Sequence, residues 1–124
     1  MIITGDNVQV LFTNSTLNQV YTVPYNEGTF TETPIYKEKK VWKQNSINKY
    51  IRSDIKLDLN SVELSDDVLT WFRNNNTIVV QVIFDPEGEQ ITKTIINCKF
   101  DCSIDWKDED LVRYKLSISG ILST

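Results

Sequence analysis

The chain has 124 residues, of which 40% are apolar and 24% are charged, and its formal net charge is -4 with no histidine. This length and composition are typical of one globular domain, and three prolines and four glycines indicate neither a flexible linker nor a disordered chain. The missing histidine excludes serine–histidine and cysteine–histidine catalysis and removes the commonest transition-metal ligand. We therefore expect a single domain over residues 1–124, no enzymatic activity, no cofactor and no metal.

The first residues, MIITGDNVQVLF, contain no basic residue and no long apolar block, so we expect no signal peptide. No apolar run in the chain reaches about 18 residues, the length that a membrane span needs. Cys98 and Cys102 lie four residues apart in a predicted strand, which puts them about 13 Å from each other, too far for a disulfide. We expect reduced thiols, cytosolic synthesis and no membrane partner.

Alternation of apolar and polar residues predicts β-strands along most of the chain. The first clear strand puts Val8, Val10 and Phe12 on one face, and a second is predicted over residues 19–23. The segment IRSDIKLDLN alternates over its whole length, and its predicted inward residues are Ile51, Ile55, Leu57 and Leu59. Strands with one polar face are typical of antiparallel sheets.

The segment LSDDVLTWFRNNN predicts one short helix over about residues 65–74. Ser65 is a good N-cap, and the two aspartates after it complement the helix dipole. Val68 and Phe72 lie one turn apart on the same side, and the asparagines at 74–76 end the helix. We expect this helix to pack across the opening of a barrel or sandwich.

The C-terminal third predicts a strand apolar on both faces from Ile78 to Phe84, a tight turn at DPEGE, and two more alternating strands. In the strand that follows the turn, five residues are predicted to share one face: Cys98, Phe100, Cys102, Ile104 and Trp106. The inward residues of the last strand are predicted to be Val112, Tyr114, Leu116 and Ile118. The predicted fold class is mainly β: an antiparallel β-sandwich or barrel of about seven strands with one short α-helix and a long projecting β-hairpin arm.

Carboxylates cluster in the two predicted turns of the C-terminal half. A glycosidase needs two carboxylates across a cleft, and calcium needs a longer run of ligands than DPEGE supplies. Acidic residues in turns usually solvate the chain, and we interpret these in that way. They are Asp85, Glu87, Glu89, Asp105, Asp108, Glu109 and Asp110.

The stretch YKEKKVWKQNSINKY, residues 36–50, is basic and aromatic in an acidic chain. Between Lys37 and Lys56 lie seven basic and two acidic residues, a local charge of +5 against -9 in the rest of the chain. Three interpretations compete: a solvated hairpin, nucleic-acid binding through phosphates and stacked bases, and self-assembly of the basic arm on the acidic body of another copy.

The residue pattern of the arm favours self-assembly. Neither face is consistently apolar from Thr33 to Lys43, so the arm cannot lie along its own core and should project. Exposing its aromatic and apolar residues to water as one patch would be energetically unfavourable. Apolar residues accompanied by charges are typical of protein interfaces. The predicted inter-subunit contacts are Lys37, Lys39, Lys40, Trp42, Lys43 and Arg52.

Three stretches together resemble a known family: the arm at 29–55, the helix SDDVLTWFRNN, and the end NCKFDCSIDWKDEDLVRYKLSISGILST with its acidic loop and alternating last strand. In this order they resemble the tail-tube proteins of long-tailed bacteriophages and, more distantly, the tube protein of type VI secretion. The resemblance covers most of the chain.

This resemblance implies a virion structural protein, made in the host cytoplasm, that self-assembles into stacked, hexameric rings. The rings would form the phage tail tube, a conduit for DNA ejection in which DNA is only cargo. Its partners would be other copies and other phage tail, neck or baseplate proteins. Two alternatives stay open: a tail-completion or baseplate adaptor protein with the same fold, and a monomeric binding module whose arm binds nucleic acid or carbohydrate.

Overall fold

The computed structural model describes residues 1–41, 45–85, 88–108 and 110–123, and for strand residues 38–41 and 45–48 it describes the backbone alone. The described part contains one helix, α1 (Asp66–Arg73), and eight strands. The strands are β1 (Ile2–Thr4), β2 (Val8–Asn14), β3 (Gln19–Thr22), β4 (Glu27–Val41), β5 (Asn45–Val62), β6 (Ile78–Phe84), β7 (Ile91–Lys107) and β8 (Val112–Leu122).

All eight strands form a single antiparallel sheet in the order β1-β4-β5-β8-β7-β6-β2-β3, curled into a half-barrel. The predicted class, mainly antiparallel β with one short helix and a long β-hairpin, is confirmed. The curl brings distant strands together, because the ring of Phe30 on β4 meets that of Phe84 on β6 at 5.3 Å between centroids. Lys93 on β7 likewise donates to Glu32 on β4 at 3.0 Å.

The concave side of this half-barrel contains the hydrophobic core. The alternation in β2, β5 and β8 directs one face of each strand inward, as predicted for most positions. Burial of these apolar side chains is the main favourable term for folding the sheet. The fully buried apolar residues from these three strands are Val10, Phe12, Leu57, Leu59, Val62, Leu116 and Ile118.

The helix lies on this core and has the predicted start and end. The Ser65 hydroxyl accepts a hydrogen bond from the Val68 amide at 3.4 Å, and Asn74 forms the C-cap. Val68 is buried as predicted, and Phe72 is half-buried against the sheet. Trp71 is also buried, a residue that the sequence analysis did not select. Three of the eight helical residues therefore face the core, which fixes a helix too short to be stable alone.

Two predictions about individual strands were wrong. The strand β6 is not buried on both faces: Val80 and Val82 are fully buried, whereas Val79 and Ile83 on the other face are only half-buried. The reason is that all the described strands belong to one sheet, so no second sheet among the described residues covers this face. Ile51, predicted to face inward, is 50% exposed. The β4–β5 register shifts there, so Ile51 is the extra residue of a β-bulge and leaves the inward face.

The predicted common face from Cys98 to Trp106 is wrong at its end, because β7 has two register shifts and the second lies within this stretch. The first lies at Asn97, whose φ is 54°, and the second between Ile104 and Trp106. Gly120 of β8 lies beside the first shift, where a Cβ atom would come within 2.7 Å of the Ile96 carbonyl oxygen. A bulge moves every following side chain to the other face, so the alternation cannot be extended through it.

Candidate assembly surfaces

Two hairpins extend beyond the rest of the sheet, at opposite ends. The strand β5 pairs with β8 only from Asp54 onward, so the β4–β5 hairpin continues alone for about 30 Å. Antiparallel pairing puts Val62 of β5 beside Tyr114 of β8, and the connection between β7 and β8 lies past that point. We call residues 36–50 the basic hairpin and residues 101–112 the acidic hairpin.

The six predicted contact residues all belong to the basic hairpin or its base. Lys37 is exposed on β4, and the backbone of Lys39 and Lys40 continues the same strand. Arg52, on β5, donates to Asp54 at 2.9 Å with both side chains nearly half exposed, so a neighbour in its own strand already offsets its charge. Two of the predicted contact residues lie outside the described residues, and they are Trp42 and Lys43.

An aromatic cluster lies on the inward side of the basic hairpin, beyond the end of the core. The rings of Tyr36 and Tyr50 face each other across the strands, with centroids 6.0 Å apart and planes at 69°. The Tyr50 hydroxyl is hydrogen-bonded to the Ser53 hydroxyl at 2.8 Å. The bulge at Ile51 makes this possible, since it places Tyr50 on the same side as Ser53, three residues away. The cluster stiffens the base of the hairpin.

Two lysines face each other on the opposite side of the same hairpin. Lys37 and Lys49 are directly paired across β4 and β5, and both are exposed. Like charges in directly opposed positions destabilise an antiparallel pair. On this side of the basic hairpin the two positive charges therefore repel each other.

The acidic hairpin was not recognised as a site from the sequence, where its carboxylates were interpreted as solvation. Residues 101–112 contain five acidic residues and one lysine, and the β8 residues paired with them add Arg113 and Lys115. The basic hairpin has five lysines and one glutamate. Asp105 is held at the base, because its carboxylate accepts a hydrogen bond from the Ser61 amide at 3.2 Å. Three large apolar side chains of this hairpin are 40–60% exposed, and they are Ile104, Trp106 and Leu111.

The lateral edges of the half-barrel also present apolar side chains. At one edge β1 covers β4 only from Glu27 to Thr29, and Met1 and Ile2 are more than two-thirds exposed. At the other edge β3 leaves Leu17 and Val20 exposed. Unpaired strand edges are templates for pairing with another chain.

A groove of about 680 Å³ lies beside the helix, between Trp71 and Phe100. None of the described residues that line it carries a carboxylate, and its thiol, Cys98, is a poor nucleophile because burial raises its pKa to about 11. Cys98 and Cys102 are both free thiols.

Within the described ranges, no group of three or more acidic or cysteine side chains is arranged to hold a metal ion. None of the described helices has the length and hydropathy required to span a membrane.

No family model matches the sequence, and no curated protein matches it. One of the matching solved structures is a chain in the cryo-EM structure of the anti-feeding prophage baseplate, six-fold symmetrised. The two chains superpose with a TM-score of 0.54 at 9% sequence identity, over 94% of this chain and 89% of the other. The likeness shows that the two chains share a fold that extends over nearly the whole length of each.

Proposed function

We propose that this protein is a non-catalytic structural subunit of a phage-tail type of assembly, and that it acts by binding other copies of itself. The observation that carries the proposal is the pair of hairpins, oppositely charged and at opposite ends of a sheet with open edges. Such a subunit has contacts for neighbours at the same level and for neighbours above and below. The fold that it shares with a chain of a prophage baseplate supports the same role.

In the more specific form of the proposal, copies join laterally through the edges formed by β1 and β3 and close a ring. Pairing of these edges would bury the exposed side chains of Ile2 and Val20 and remove the hazard of open edges. We propose six copies in a ring, in line with the resemblance to tail-tube proteins and with the six-fold symmetry of the neighbour's assembly. Stacked rings would make a tube whose lumen passes DNA without binding it.

A second candidate is an adaptor at the baseplate or at the end of the tail, which forms one ring and then contacts other proteins. The matching chain described above belongs to a baseplate, which favours this candidate as much as the tube. The two candidates share the lateral contact and differ in whether rings stack on rings of the same protein. Both place the protein in the phage particle, beside other tail proteins.

The test is light scattering and negative-stain microscopy of the purified full chain over a wide concentration range. Tubes with a central hole support the tube subunit, and rings that do not stack support the adaptor. A strict monomer at every concentration overturns the self-assembly proposal. If that monomer also binds an oligonucleotide with an affinity that falls steeply with salt, the protein is a nucleic-acid binding module instead.

A further inference from the structure

A β-bulge in β7 turns Trp106 onto the convex face of the sheet, away from the core. Ile104 of β7 is paired with Tyr114 of β8, and two residues further on Trp106 is paired with Arg113. Tyr114 and Arg113 are consecutive on β8, so their side chains lie on opposite faces of the sheet. The bulge therefore separates Trp106 from Ile104 and places it beside Arg113.

A second bulge lies in β5 and is tied to the first. Leu59 and Val62 are both fully buried although they lie three residues apart, because the strand has one extra residue between them. Within this bulge Ser61 has a φ of 52°, which is uncommon for a residue other than glycine. Its amide donates to the carboxylate of Asp105, the extra residue of the β7 bulge, at 3.2 Å. Each bulge therefore holds the other in place.

Arg113 lies between an acidic and an aromatic side chain. Its guanidinium forms an ion pair with Glu63, the residue that follows β5. In the sheet order β8 lies between β5 and β7, so this ion pair is on the side of Arg113 away from Trp106. Trp106 is 44% exposed. The two bulges thus bring an open aromatic ring next to a fixed pair of hydrogen-bond donors and acceptors.

These side chains line an open cleft of about 490 Å³, together with the segment that connects β3 to β4. Backbone hydrogen bonds hold that segment against the end of β5. The Asn26 amide donates to the Asn60 carbonyl at 3.2 Å, and the Glu63 amide donates to the Pro24 carbonyl at 2.9 Å. The cleft is therefore shaped by backbone contacts within one copy and needs no ligand to form.

The chemistry of the cleft fits an uncharged sugar. One face of a pyranose ring carries C–H groups that pack on an aromatic ring, and its hydroxyls both donate and accept hydrogen bonds. Trp106 provides the aromatic surface, Arg113 provides donors and Glu63 provides acceptors. A charged ligand of either sign would meet a like charge in this pair.

We propose that this cleft binds a neutral saccharide, with one sugar ring stacked on Trp106 and its hydroxyls held by Arg113 and Glu63. The inference goes beyond the proposed structural function and does not depend on self-assembly, because every residue of the cleft belongs to one copy.

The experiment is calorimetric titration of the purified full chain with three uncharged probes: cellotetraose, maltotetraose and the tetramer of N-acetylglucosamine. Trp106→Ala removes the aromatic ring, Trp106→Phe keeps a smaller one, and Arg113→Gln breaks the ion pair. The matched control is Tyr36→Ala, which removes an exposed aromatic side chain remote from the cleft. Denaturant unfolding checks that each variant folds, as expected for a side chain as exposed as Trp106.

We expect at least one probe to bind the wild type with an affinity that is insensitive to salt. Trp106→Ala should weaken this binding by about tenfold or more, because it removes the stacking surface. Trp106→Phe and Arg113→Gln should weaken it less, and Tyr36→Ala should leave it unchanged.

The inference is overturned if none of the three probes binds at millimolar concentration, or if folded Trp106→Ala binds as tightly as the wild type. Pentalysine and a DNA oligonucleotide serve as charged probes. If either binds in place of the saccharides, and Trp106→Ala or Arg113→Gln abolishes that salt-sensitive binding, the cleft recognises charge and the saccharide inference is wrong. Each of these results leaves the proposed assembly function standing.

Discussion

Phe72 of the helix stacks on Phe100 of β7, with ring centroids 4.9 Å apart and planes at 29°. Both rings also meet Phe12 of β2, at 6.1 Å and 5.6 Å. The contact joins the only described helix to two strands on either side of β6 in the sheet order. Aromatic packing of this kind is worth about 0.5–1.5 kcal/mol beyond the area that it buries.

Replacing Phe72 by alanine should therefore lower the free energy of unfolding by about 2–3 kcal/mol, somewhat less than for a fully buried phenylalanine. Phe72→Leu, which keeps an apolar side chain of similar reach, should cost about half as much. Denaturant unfolding measures both variants. A loss within about 0.5 kcal/mol, the usual effect of a surface change, would show that the helix is not held by this contact.

The Lys37–Lys49 pair gives a second prediction, in which stability and assembly change in opposite directions. Lys49→Glu replaces a repulsive cross-strand pair by an attractive one, so the hairpin of the isolated subunit should gain about 0.2–1 kcal/mol. The same change should weaken association between copies. Amide hydrogen exchange of the hairpin measures the first effect, and sedimentation measures the second.

The control for this prediction is Lys49→Gln, which removes the repulsion without adding a negative charge and should give an intermediate hairpin stability. If Lys49→Glu speeds exchange in the hairpin and leaves association unchanged, the lysine pair does not function as an interface feature.

The buried thiol of Cys98 predicts a dependence of stability on alkaline pH. Burial raises its pKa in the folded protein from 9.0 to about 11. Between these values the unfolded chain has lost the thiol proton and the folded protein has retained it. The free energy of unfolding should therefore fall as pH rises from about 9 to about 11. Above that range the contribution of the Cys98 thiol should no longer change with pH.

Cys98→Ala tests this dependence by comparison with the wild type at each pH. Burial also raises the pKa of Tyr25 to about 12, but that residue is present in both proteins and its effect cancels. The difference in unfolding free energy between the two proteins should narrow as pH rises through this window. A difference that stays constant would mean that the thiol titrates alike in both states.

Several features of the fold were predictable from the sequence because they depend on local interactions. Period-two alternation predicted the β class, because an antiparallel sheet with one wet face directs side chains alternately inward and outward. The Ser65 cap and the two aspartates after it located the helix within one residue at each end, since capping is a local interaction. The charge of the basic hairpin was also visible from composition alone.

The tertiary structure decided what depends on pairing between distant strands. The bulges at Ile51 and Asn97 are set by partner strands, so no local pattern marked where the inward face would change. The acidic hairpin looked like an ordinary solvated turn, because only the sheet order shows that it leaves the sheet opposite the basic hairpin. Local propensity and charge are properties of the sequence, whereas register and the spatial relation of two surfaces arise only when the sheet closes on its core.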